Sequence, residues 1–334
     1  MNKRLIITFF AGTLLFSFIF FTILLQKSKS TPTINKKNQE HLYINTSYNE
    51  NSHRVIKLDF NNYKEEVLLE KKFDDYPTST HFEETNQIYF TGKLNDGTHQ
   101  LLMKNMNENK INKLTKTLNY VDFLQLNKKR KIIYMRALVK GGDRNFHVVT
   151  FDMQTGNINV WNDNESDHSV VAFDFSPTQK NVLIVTKSIK EEFNNISEAN
   201  DKNISPNPPT HTISLYSESG TFKKEVIKLN SFIKSASLSS DGEHFLLNFK
   251  DKLEDTSKIG LYNTSKNKID LLLEDTTRFY NIREPVFNSD NSGFYFIVDN
   301  ENNPKVYFFN LKDKTTKEIW FKENEQAINL YIIK

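Results

Sequence analysis

Five stretches of the chain repeat one arrangement of hydrophobic and polar positions. Each has an apolar residue, a short polar turn, then a run of aliphatic and aromatic residues. They read FEETNQIYFTG from Phe82, LNKKRKIIYMRA from Leu126, FSPTQKNVLIV from Phe175, LSSDGEHFLLNF from Leu238 and FNSDNSGFYFIV from Phe287. The anchors lie 44, 49, 63 and 49 residues apart. Repeats of this length, built from short β-prone runs between turns, predict propeller blades of four strands.

Each unit divides in the same way into strands a to d. In the second, TSTHFE is strand a, IYFTGK strand b, HQLLMKNM strand c and INKLT strand d. The c–d connections, such as QTGN at 154–157 and ESGT at 218–221, read as hairpin turns. Residues 42–72 supply only b, c and d, whereas QAINLYIIK at 326–334 is a strand a without a blade. Joining the two gives six blades and predicts an all-β, six-bladed propeller of four-stranded blades. The ring is expected to close by pairing the last strand with the N-terminal blade, which removes an exposed edge.

The N-terminal region departs from this pattern. Residues 5–25, LIITFFAGTLLFSFIFFTILL, form 21 uncharged positions, long enough to span a bilayer as a helix. A secretory h-region is shorter and ends at a small-residue cleavage site. The run therefore reads as an uncleaved transmembrane signal anchor, with secretion as the alternative if it is cleaved. Residues 1–4 are expected in the cytoplasm, 26–40 as a flexible tether spanning roughly 20 Å, and 41–334 as the propeller outside the cell membrane. The expected partners are the lipid bilayer, through residues 5–25, and a protein or peptide of the cell envelope, with the propeller itself monomeric.

Charge supports that division. Six of the 44 basic residues fall within positions 1–37, which hold no acidic residue, leaving 38 basic against 41 acidic in the remainder. Such a balance argues against a nucleic-acid partner. There is no cysteine, which excludes disulfides and thiolate chemistry. No Gly-x-Ser-x-Gly, His-Glu-x-x-His or phosphate-loop motif occurs, and the eight histidines are scattered. No cofactor or metal is expected, although a ring can gather distant residues at its axis.

The turns between strands a and b carry a further signal. Ser176-Pro177-Thr178-Gln179, Ser239-Ser240-Asp241-Gly242 and Asn288-Ser289-Asp290-Asn291 are partial matches to Ser-Pro-Asp-Gly. On these turns and the repeat, residues 41–334 resemble the TolB-like six-bladed propellers of the WD-repeat-like superfamily. The units at Phe82 and Leu126 depart from it, with EETN and NKKR. The resemblance implies a binding module or a non-catalytic accessory domain. Asp241 and Asp290 are read as turn formers, and Trp161 and Trp320, at matching positions in strand d, as packing residues.

A propeller places the b–c and d–a loops on one face and the a–b and c–d turns on the other. Here the turns are short and the loops long, and function concentrates on long loops held by a rigid scaffold. Arg54, Arg136, Arg144, Arg278 and Arg283 lie in or beside these loops, as do Tyr76, His168 and Tyr280. Arginine suits forked recognition of acidic groups. These eight residues form the candidate binding set, and no catalytic residue is assigned. The polar segment 187–211 is expected to be a mobile surface loop. The leading expectation is a non-catalytic binding or scaffolding propeller. The alternative is a hydrolase or lyase acting on an envelope polymer. A channel-lining acid/base cluster would favour the enzyme, and a plugged channel would disfavour it.

Overall fold

The computed structural model describes residues 40–334 except 61–63, 74–76, 109, 143, 162–165 and 301–302. The expected anchor and most of the tether lie outside the described residues. Among the described residues no helix is long and apolar enough to cross a membrane.

Residues 40–334 form six four-stranded antiparallel sheets. The second blade runs β4 (Ser79–Phe82), β5 (Gln87–Lys93), β6 (His99–Asn105) and β7 (Lys110–Lys113); the third β8 (Leu118–Asn127), β9 (Ile132–Val139), β10 (His147–Asp152) and β11 (Ile158–Val160). The fourth is β12 (His168–Ser176), β13 (Asn181–Ser188), β14 (His211–Ser217) and β15 (Phe222–Leu229). The fifth is β16 (Phe232–Leu238), β17 (His244–Lys250), β18 (Lys258–Asn263) and β19 (Lys268–Glu274). The sixth is β20 (Arg283–Phe287), β21 (Gly293–Asn300), β22 (Asn303–Asn310) and β23 (Thr316–Trp320). The first blade is composite: β24 (Glu325–Ile332) pairs with β1 (His41–Tyr48), followed by β2 (Ser52–Asp59) and β3 (Lys64–Lys72). The expected closure is thus observed, from Leu42↔Ile332 to Tyr48↔Glu325.

The second strand of each blade shows why the ring holds. Ile133, Tyr134 and Met135, and Val182 to Val185, are fully buried on both faces of their sheets. Continuous apolar runs fit strands sandwiched between neighbouring blades. The outer strands are mostly exposed, as in β7 and β19. Trp161 and Trp320 are buried, as packing residues should be. Gly220 has φ +87°, and a Cβ there would lie 2.8 Å from the Trp161 ring, so both backbone and space require glycine. Asp241 accepts from Ser239 Oγ and Glu243 N–H, and Asp290 from Asn288 Nδ2 and Ser292 N–H, as expected of turn formers.

One expectation fails. Within segment 187–211, residues Ile189–Lys202 form a helix, α1. Ser188 Oγ accepts the N–H of Glu191 at 3.0 Å, and Asn203 closes the other end with φ 49°. The tail of the segment is held too: Glu191 accepts from the N–H and hydroxyl of Thr210. The insertion is an ordered element because its caps and this return contact satisfy backbone groups that a free loop would leave to water.

Candidate functional site

The first strands of all six blades line an axial channel. Its walls include Thr78, Phe123, Asp174, Ser235, Glu284 and Asn329, one from each blade. Five of these strands bulge at a similar level: at Phe123, Val171, Lys234, Glu284–Pro285 and Ile328. A bulge bends its strand and redirects a side chain. Phe123 and Glu284 adopt φ 52° and 53° there, costly for residues with a Cβ.

The channel is narrow. Its cavity of about 30 Å3 has room for about two waters, since one needs roughly 10–15 Å3. Towards the turn face, Lys334 Nζ donates to Asp174 Oδ2 at 2.6 Å, to Leu238 O at 2.8 Å and to Phe175 O at 3.2 Å. Both partners of this ion pair are almost fully buried. The side chain joins the first blade to the fourth and fifth, and closes this end.

Towards the loop face the channel is charged. Arg136 forks onto Asp122 at 2.7 and 2.6 Å, and its Nη1 donates to the bulge carbonyl of Val171 on the next blade. Arg283 repeats the device. It forks onto Asp299 through Nε and Nη2, at 3.0 and 2.9 Å, and donates from Nη2 to Ala327 O at 2.8 Å and from Nη1 to Ile328 O. Each arginine therefore fastens one blade to its neighbour. Glu284, between them in the channel wall, is half-buried and makes no hydrogen bond or ion pair among the described residues. Burial pushes its carboxyl up, and Asp122 adds to the rise, although Arg283, Arg136 and Lys234 pull it down.

The described residues of the sequence-derived set fall into three groups. Arg136 and Arg283 are half-buried blade clamps, which corrects the expectation that they stand free for a partner: their forks are spent on Asp122 and Asp299. Arg54 lies 3.4 Å over the Tyr48 ring and bonds Glu70 at 2.9 Å. Arg144, His168, Arg278 and Tyr280 are exposed on loops or strand ends of the loop face, and Arg278 lies 5.1 Å over the Phe279 ring. Tyr76 lies outside the described residues. Arg283, Tyr280, Asn281 and Asp299 also line a cleft of about 490 Å3 beside the sixth blade.

The sequence reading missed the apolar side chains of the loop face. Phe193 (67% exposed) and Ile196 project from α1, and Ile204 follows it. Leu253, Tyr280 (65% exposed) and Phe321 lie on other loops of that face. The remaining exposed large apolar side chains among the described residues, Val67, Ile111, Phe222 and Leu271, all belong to outermost strands. As for metals, among the described residues Asp241, Glu243 and His244 bring potential ligand atoms within 4.8 Å of one another. They sit in a turn whose geometry already uses Asp241, on the face opposite the long loops.

With this geometry, the chain is a six-bladed propeller of the class shared by TolB. A search of solved structures aligns it with TolB from Acinetobacter baumannii at TM-score 0.60 and 14% identity, covering 88% of this chain and 66% of that one. A chain of a nidogen/laminin complex also gives 0.60 at 11% identity, covering 89% of this chain and 99% of that one. An oligogalacturonate lyase in complex with manganese gives 0.55 at 10%, covering 73% and 65%. The chain thus spans just under two thirds of the TolB and lyase chains, and at these identities the likeness is one of fold. Among curated proteins, the uncharacterized protein YdjN of Bacillus subtilis (strain 168) is 25% identical over 289 residues, 80% of this chain and 82% of that protein. No protein-family model matches.

Proposed function

We propose that the protein is a non-catalytic, extracytoplasmic binding module, tethered by residues 5–25 to the cell membrane, that engages a protein or peptide of the cell envelope through its loop face. The observation that carries this reading is the placement of exposed apolar side chains: Phe193, Ile196, Ile204, Leu253, Tyr280 and Phe321 share that face. Exposed apolar groups rimmed by polar loops mark interaction surfaces, and aromatic residues are enriched at their centres. Arg144 and Arg278 are exposed on the same face. The sealed turn-face end of the channel supports binding over processing of a threaded polymer.

A hydrolase or lyase acting on an envelope polymer is the second reading. One observation favours it, the unpartnered Glu284 carboxyl with Lys234 on the neighbouring blade at the loop-face end of the channel.

A photo-crosslinking residue placed singly at Ser197 on α1, or at Asp313 in a short turn, separates the faces. The binding reading expects an adduct with an envelope protein from Ser197 and none from Asp313. Adducts from Asp313 alone would overturn it.

A further inference from the structure

The turn face carries its own feature. Between the third and fourth blades lies a cleft of about 610 Å3, lined by Lys129, Arg130, Lys180 and Lys223. Lys128 and Lys131 flank it in the same a–b turn, and Lys224, next to Lys223, lines the adjoining cleft between the fourth and fifth blades. Against the four cations that line it the cleft holds one carboxylate, Glu218, already committed to Asn127 Nδ2 at 3.0 Å and Arg130 Nη1 at 3.2 Å. Lys128 has one long ion pair, 3.6 Å to Glu84. Lys129, Lys180 and Lys224 are exposed and have no ion pair among the described residues.

Two further observations bear on what meets this cluster. Phe222, 56% exposed, begins β15 immediately before Lys223 and Lys224. An aromatic side chain beside lysines is the composition of a segment that rests in a lipid headgroup layer. In addition, the chain enters the propeller on this same face. Glu40 accepts from Ser289 N–H, in the a–b turn of the sixth blade, and from Tyr295 OH at 2.6 Å. An apolar segment at 5–25, followed by about fifteen residues of tether, therefore leads to the turn face.

We propose that the basic turn-face cleft, with Phe222, docks the propeller on the anionic headgroups of the membrane that holds its tether. The inference rests on the tethered reading above. Lysines near an anionic bilayer are each worth about fivefold in affinity, and the attraction fades with added salt. Docking would hold the loop face away from the bilayer, open to partners.

The absence of cysteine permits a direct test on the full chain, because a single introduced cysteine labels one site. A fluorophore on Ser219→Cys, at the cleft, is compared with one on Ser197→Cys, on α1. The protein is mixed with vesicles of phosphatidylcholine alone or with one-third phosphatidylglycerol, each containing acceptor-labelled lipid. Energy transfer from position 219 is expected to rise at least about twofold with phosphatidylglycerol and to fall with salt. It should return to the phosphatidylcholine value in a Lys129→Gln, Lys180→Gln, Lys224→Gln variant, with position 197 low throughout. Equal transfer from position 219 in both vesicles, or no change in the triple variant, would overturn docking. Flotation separates the two ideas. Flotation with phosphatidylglycerol vesicles alone would remove the anchor and leave docking standing, and flotation with neither would overturn both.

Discussion

Lys334 Nζ and Asp174 Oδ2 meet at 2.6 Å near the axis of the ring, joining blades that stand opposite one another. Asp174 also accepts the N–H of Leu238 at 2.7 Å and the hydroxyl of Ser237 at 3.0 Å. Ser237 Oγ in turn accepts the N–H of Phe287 on the sixth blade at 3.1 Å. One buried ion pair therefore reaches four blades. Removing one partner of such a pair costs about 3–5 kcal/mol, because the other charge stays buried and uncompensated. Asp174→Asn is expected to lower stability by about 3 kcal/mol in urea denaturation. Lys334→Met should cost less, since Asp174 keeps two backbone donors, Leu238 N–H and Phe175 N–H, and the Ser237 hydroxyl. The double variant should recover part of the loss. Additive losses would show that the two residues do not act together.

The arginine clamps separate two kinds of arginine. Arg136→Ala strips a fork from the buried Asp122 and Arg283→Ala one from the half-buried Asp299, and each leaves a bulge carbonyl without its donor. Each is expected to cost about 2–3 kcal/mol. Arg144→Ala and Arg278→Ala remove exposed charges and should shift stability by about 0.5 kcal/mol or less. Thermal melts of the four variants test this, and similar losses in both pairs would contradict the clamp.

Two carboxyls predict opposite pH effects. Burial and Asp122 raise Glu284, outweighing the pull of Arg283, Arg136 and Lys234. Its contribution is thus most favourable when protonated and is lost as pH rises through its folded value. Glu284→Gln should stabilise the protein at neutral pH, and the gain should vanish below about pH 4, where the unfolded carboxyl is also protonated. Glu83 goes the other way. Burial works to raise it, but hydrogen bonds from Lys57 and Tyr43 prevail and hold it at about 2. Its contribution is present above the unfolded value and is lost as pH falls towards 2, so Glu83→Gln should flatten the acid limb of the stability curve. Denaturation midpoints measured across pH decide both, and a Glu284→Gln gain that persists in acid would contradict the first.

Helix α1 yields a local prediction. Ser188→Ala removes the cap bond to Glu191 N–H and should cost about 1 kcal/mol. Hydrogen exchange should quicken across 189–202 while the blade strands keep their protection. Loss of protection throughout the ring would instead mean that the insertion is part of the scaffold.

The architecture was legible because each blade repeats an anchor, a turn and a buried second strand, and because the unmatched strands at the two ends completed a ring. The site was less so. Helix α1 had a readable start in Ser188 and Glu191, three apart, but Pro206, Pro208 and Pro209 and many polar residues hid the spacing of Phe193 and Ile196. The clamps left no linear trace. Arg136 and Asp122 are 14 residues apart, and Arg283 and Ile328 are 45, so only the ring brings them together. Their loop-edge positions read as free binding groups, whereas Asp122 and Asp299 and the bulge carbonyls of the next blades engage them.

The central claim is that the loop face, and not the turn face, engages a partner. The most direct measurement is quantitative capture from envelope extract by the full chain and two variants with unchanged melting temperature. One carries Phe193→Ser, Tyr280→Ser and Arg278→Ala, and the other Lys128→Gln, Lys129→Gln and Lys131→Gln. The account predicts that the first loses at least about tenfold in capture, as expected for aromatic and arginine anchors, while the second matches the native protein. Loss confined to the second variant would contradict it.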